Sequence, residues 1–116
     1  MEYFNVEFLE ECKDFFDELN LKTQKKIFYN IDKATQTLDP ELFKKLTSNI
    51  WEFRSLINKT CYRLLSFWDK TDNKNTLVIC THGFIKKTQK TPQSEIDKAE
   101  RIMKLYFQEL KKNKKY

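Results

Sequence analysis

The chain has 116 residues, 40% of them hydrophobic and 15% aromatic, with one glycine, two prolines and a formal net charge of +5. That is the length of one domain, 1–116, with apolar side chains enough for one core without disulfides or metal; a turn-rich sandwich or a disordered linker is excluded. The charge is unevenly spread: residues 1–20 hold seven acids and one lysine, residues 59–92 seven bases and two acids, a dipolar arrangement that suits an anionic partner.

YFNVEF (3–8) alternates in polarity and reads as a short first strand. Phe8, Leu9, Cys12, Phe15, Phe16 and Leu19 then recur at three- and four-residue steps, the spacing of one apolar helix face. After a break at 20–22, Ile27, Ile31, Ala34 and Leu38 mark a second helix, stopped by Asp39-Pro40 because proline disfavours helix in the residue before it. The two form a helical hairpin. A brief helical turn is expected over 41–46.

Beyond Ser48 the period falls from 3.6 to 2. IWEFRSLI (50–57) sets Trp51, Phe53 and Ile57 on one face and Glu52 and Arg54 on the other. CYRLLSFW (61–68) is apolar or aromatic on both faces, as a central strand should be. A polar cluster at 69–75 leads into TLVICTHGF (76–84), a further strand. Short connections make this an antiparallel sheet of three to four strands. Thr91 as cap, Pro92, and Ile96, Ala99, Met103, Tyr106 and Leu110 define a C-terminal helix, with acid-first pairs Asp97–Arg101 and Glu100–Lys104 and a frayed basic tail over 111–116. The fold class is α+β: helical hairpin, antiparallel sheet, C-terminal helix, with the helices expected against one sheet face.

Cys12, Cys61 and Cys80 are odd in number and follow no CxxC spacing, and no signal segment stands at the start. Free thiols in a reducing cytoplasm are expected. No apolar run approaches the ~18 residues of a membrane span, so no membrane partner is expected. One histidine and no acidic cluster leave too few ligands for a metal site, and no glycine-rich nucleotide loop or cofactor motif is present.

The stretch THGFIKKTQKTP (81–92) gathers the only histidine, the only glycine and three lysines. On a strand, His82, Phe84 and Lys86 share one face and Gly83, Ile85 and Lys87 the other. Lys86, Lys87 and Lys90, beside the positive end of the following helix, form a candidate anion site; a solvated lysine loop is the plainer account. Arg54 and Arg63 lie within apolar strands, where an unpaired charge is costly. Either Glu52 pairs with one of them, or the two make a cationic floor whose guanidinium forks match phosphate oxygens. Tyr62 and Trp68 are candidates for base stacking, although strand aromatics are more often core.

IWEFR, YRLLSFW and above all THGFIKKTQKTPQSEIDKAERI (81–102) resemble the phage-derived HigB-like branch of the RelE/ParE toxin superfamily, over nearly the whole chain. The resemblance implies the toxin of a type II toxin–antitoxin pair, held by a HigA-like helix-turn-helix antitoxin. It further implies metal-independent endonuclease action on mRNA on the ribosome, by attack of the ribose 2′-OH on the adjacent phosphate. Carried over by position, Arg63 clamps the phosphate, Arg54 is a second basic group, and His82, Lys86, Lys87 and Lys90 fall where late active-site residues stand; the three lysines, with Tyr62 from the stacking reading, are the candidates for RNA contact. His82 is cast as general acid, its ordinary pKa of roughly 6.5 suiting proton transfer near neutrality; Glu52 or a lysine is the candidate base. This sequence departs from RelE in carrying Glu52 on a strand that is lysine-rich there. The ParE branch shares the fold but poisons gyrase, so a non-catalytic basic binding module is the alternative.

Overall fold

The computed structural model describes residues 2–71 and 76–113. Residues 72–75 of the polar turn and 114–116 of the expected basic tail lie outside the described residues. The elements run β1 (Asn5–Phe8), α1 (Glu10–Asp17), α2 (Leu21–Thr37), β2 (Phe43–Lys45), β3 (Trp51–Ile57), β4 (Thr60–Asp69), β5 (Leu77–Lys86) and α3 (Gln93–Asn113). The sheet has five strands in the order β1-β5-β4-β3-β2. β1 runs parallel to β5 and every other pair is antiparallel, so the sheet is larger than expected and mixed.

The expected helical turn over 41–46 is instead the edge strand β2. Phe43 is the reason: its ring stacks on Phe53 at 4.4 Å and on Trp51 at 4.8 Å, and tertiary packing overrides a weak local preference. β3 turns into β4 through Asn58 and Lys59, both with positive φ (50° and 67°). That is the twist a two-residue hairpin demands. α2 opens with Asn20, whose side chain accepts from the Thr23 amide at 2.8 Å, and closes where Leu38 turns left-handed (φ 54°).

Two cores flank the sheet. Toward α1 and α2, Phe53, Leu64, Val78 and Cys80 pack on Cys12, Phe16, Ile27 and Ile31. Toward α3, Leu65, Phe67 and Ile79 pack on Ile96 and Ala99. Helices therefore cover both sheet faces, not one: residues one apart in β4 and β5 point to opposite sides, and both sets are apolar. Gly83 faces the hairpin. A Cβ there would lie 2.3 Å from the Phe15 ring and 2.7 Å from Leu64, so the chain's one glycine is a close-approach residue that lets α1 settle on β5.

A β-bulge sets the phase of β5. Leu65 pairs with His82 and Ser66 with Cys80, leaving Thr81 unpaired. The extra residue keeps Ile79, His82, Phe84 and Lys86 on the α3 side. No helix among the described residues is long and apolar enough to cross a membrane.

Candidate functional site

Arg54 and Arg63 are direct cross-strand partners on β3 and β4. Two like charges opposite one another destabilise a sheet unless a counter-charge stands between them. Glu52, one pleat along β3, supplies it: Oε1 lies 3.5 Å from Arg63 Nε and Oε2 lies 3.7 Å from Arg54 Nε. Thr91 Oγ1 also donates to Glu52 Oε1 at 2.7 Å. The hydroxyl read as a helix cap is therefore engaged across the domain.

The triad is buried but incompletely bonded. Glu52 is 3% exposed and Arg63 5%, while the Arg54 side chain retains 31%. Arg63 Nη1 donates to the Tyr62 carbonyl at 3.1 Å, yet neither guanidinium Nε makes a hydrogen bond. Buried donors without an acceptor are rare. Two cations facing one carboxylate leave one positive charge in excess.

Around the triad lies a hollow of about 310 Å³ lined by Lys44, Glu52, Arg54, Lys86, Lys90 and Thr91, among others. Arg54 also opens, with Arg63 and Cys61, onto an adjoining hollow of about 530 Å³ at the β3 edge. Thus Glu52, Arg54, Lys86 and Lys90 share the first hollow with Lys44, while Arg63 reaches it through Glu52 and lines the second. The signal for Lys44 was available, since β2 pairs Lys44 with Glu52, but only once residues 43–45 are read as a strand. Lys86 Nζ is tied to the Gln89 carbonyl at 2.9 Å, which shapes the loop. Lys87 is exposed and is not among the residues lining the hollow.

Tyr62 does not join the cleft. It is next to Arg63 on β4, so the pleat turns it to the hairpin side, where it packs against the apolar core.

His82 occupies the correct sheet face but lies beneath α3. It is 2% exposed, with Nδ1 2.9 Å from Thr81 Oγ1 and Nε2 3.1 Å from Glu95 Oε1. Its ring stacks near Phe84. Burial lowers its pKa below the usual histidine value, against the raising influence of Glu95 and with a smaller lowering from Lys98. With both ring nitrogens engaged and no exposed edge, the imidazole in this geometry cannot reach a molecule in the cleft. Glu52 is likewise occupied, which makes it a positioning group for the two arginines. One segment, 91–95, covers both groups, through Thr91 on Glu52 and Glu95 on His82.

The thiols are free. Cys80 is held far above its ordinary pKa by burial and by neighbouring Cys12, so it is inert. Among the described residues no group of His, Cys, Asp or Glu side chains is gathered as a metal site.

Residues 14–104 match the family model described as "Phage derived protein Gp49-like (DUF891)". Among solved structures, the chain is similar to one from the crystal structure of the intact E. coli RelBE toxin–antitoxin complex. The identity is 17% and the TM-score 0.51, covering 76% of this chain and 99% of that one. No curated protein matches. At that identity the structural likeness shows the fold, and it bears out the RelE-type architecture expected from the sequence. The chain belongs to the phage-derived Gp49-like family, a branch of the RelE-type toxin superfamily.

Proposed function

We propose that this protein is the toxin of a type II toxin–antitoxin pair and cleaves mRNA on the ribosome, without metal. The observation that carries the reading is the Glu52–Arg54–Arg63 triad, with its excess positive charge, two unbonded guanidinium donors and a surrounding rim of Lys44, Lys86 and Lys90. A phosphodiester balances that excess charge and meets first the Arg54 side chain, which stays 31% exposed. The ribose 2′-oxygen forms a bond to phosphorus as the bond from phosphorus to the 5′-oxygen breaks, leaving a 2′,3′-cyclic phosphate and a 5′-OH. Arg63 and Arg54 hold the charged phosphorane, an electrostatic role of the kind that dominates such reactions. The lysines hold flanking phosphates. A base takes the 2′ proton and an acid returns one to the 5′-oxygen. For Glu52 and His82 to exchange those protons with RNA, segment 91–95 must lift away, since Thr91 and Glu95 now occupy them.

The same burial supports a second reading, a basic module of this fold that binds gyrase or RNA and cleaves nothing. Brief expression followed by mapping of new mRNA 5′ ends separates the two. Cleavage predicts 5′-OH ends that fall about 100- to 1,000-fold in Arg63→Ala, with circular dichroism verifying the fold. Growth arrest with intact mRNA and damaged DNA would instead support gyrase. The proposed partner is a HigA-like helix-turn-helix antitoxin that covers the basic cleft in the cytoplasm; the similar chain's own complex is a toxin–antitoxin one. Binding to ribosome or RNA should weaken steeply with salt.

A further inference from the structure

A third depression, of about 570 Å³, lies at the other end of the sheet, where the 46–50 loop, the end of β4 and the C-terminal half of α3 meet. Its walls include Trp51, Trp68, Lys45, Lys70, Asn49 and Ser48, and among the described residues none that lines it is acidic. Both indoles are part-exposed, and they are the only two tryptophans in the chain. Trp51 is braced from one side by the stacked ring of Phe43, and the two indoles meet edge-on at 6.1 Å. Rigid aromatic surfaces with cations beside them and amide or hydroxyl groups at the rim hold single-stranded nucleic acid: bases stack, cations meet phosphates, and amides read base edges.

β2 joins this groove to the basic cleft. Lys44 lies opposite Glu52 and lines the cleft; Lys45 lies opposite Trp51 and lines the groove. Consecutive residues of one strand thus present one cation to each hollow. We propose that the groove is a nucleotide-binding subsite: a base of single-stranded RNA stacks on one of the two indoles and meets the other edge-on, Lys45 and Lys70 hold its phosphates, and the strand reaches the basic cleft across β2. The proposal takes its ligand class from the RNA reading above but needs no cleavage.

Intrinsic tryptophan emission reports on this groove directly, because it holds both fluorophores. A fluorescently labelled 2′-O-methyl oligoadenylate, which lacks the attacking hydroxyl, is titrated into the purified protein while tryptophan emission and label anisotropy are followed together. The expected result is saturable quenching that tracks the anisotropy. Lys45→Ala combined with Lys70→Ala, both exposed positions, should weaken binding and lower the slope of log K against log salt by about 1.4, roughly 0.7 for each lost phosphate contact. Arg63→Ala should still quench. Anisotropy that rises with unchanged emission, or a double-lysine variant that quenches as well as the parent, overturns the groove and leaves the cleft standing. If neither signal moves, the groove is not an RNA site, and the mapping of cellular 5′ ends judges cleavage separately. Quenching by the antitoxin with none by RNA makes it a protein-docking surface and also overturns the proposal.

Discussion

Toward the helical hairpin the sheet presents Phe53, Leu64, Val78 and Cys80, closed over by rings from α1, α2, β1 and β2. Toward α3 it presents Leu65, Phe67 and Ile79 at one end, and Glu52, Arg54, Arg63, Thr81 and His82 at the other. Both sides are buried, but only the second buries charge. Apolar side chains gain from burial alone, about 1.5–3 kcal/mol for a large one. Buried ions repay their desolvation only with full pairing, and here two arginine donors are left unbonded. The contrast teaches that the hairpin side holds the domain together, while the α3 side keeps a cluster that stability alone does not require.

The largest expected effect lies on the hairpin side. Phe53→Ala should cost about 3–5 kcal/mol in urea unfolding without altering the chemistry of whatever protein stays folded. A loss below about 1 kcal/mol would mean that this layer is not the main support. Of opposite sign is the triple replacement Glu52→Leu, Arg54→Leu and Arg63→Met. By precedent for buried ion clusters it should be neutral or stabilising by about 1–4 kcal/mol, chiefly through the buried Glu52 and Arg63, and should abolish cleavage. Marked destabilisation would make the triad a structural device and erase the contrast.

His82 gives a smaller effect with a defined direction. Burial lowers its folded-state pKa, so below its ordinary value of about 6.5 the unfolded chain binds the proton and the folded chain resists it. Its contribution is therefore intact above about pH 6.5. It declines as pH falls toward the folded pKa, at up to about 1.4 kcal/mol per pH unit. Urea midpoints between pH 5 and 7 should show this slope, and His82→Gln should remove it. A midpoint that rises on acidification would mean that Glu95 outweighs burial. Smallest is the half-exposed pair of Lys98 with Glu11, which links α3 to α1; Lys98→Ala should cost less than about 1 kcal/mol and lose that effect in high salt.

Most elements were legible in the residues because their periods were unmixed: helical steps in α1, α2 and α3, and alternation in β3. The side of the sheet on which each helix packs was not, since periodicity identifies an apolar face without saying what covers it. β2 was lost because three residues are too few to show a period. Tyr62 was misassigned although its neighbour Arg63 already fixed its direction. His82 was placed on the right face, but no local pattern announces that Glu95, 13 residues on, will cover it. The acid-first helical pairs gave way to other partners, with Asp97 accepting from Gln93 at 3.0 Å and Glu100 facing Asn49 at 3.5 Å. Trp68 stood out as a stacking candidate, but its meeting with Trp51 in a groove did not, because aromatic residues in strands are usually core.

The unpaired Thr81 makes the pairing of residues in β5 as consequential as their identity. Were the bulge ironed out with every residue kept, composition would be unchanged, yet everything downstream would turn to the opposite face. The imidazole and Lys86 would then turn into the Phe15 layer, and Ile85 toward the cations. Deleting Thr81 itself would instead leave Leu65 opposite His82 and Ser66 opposite Cys80 in an ordinary ladder, with the downstream faces as they are.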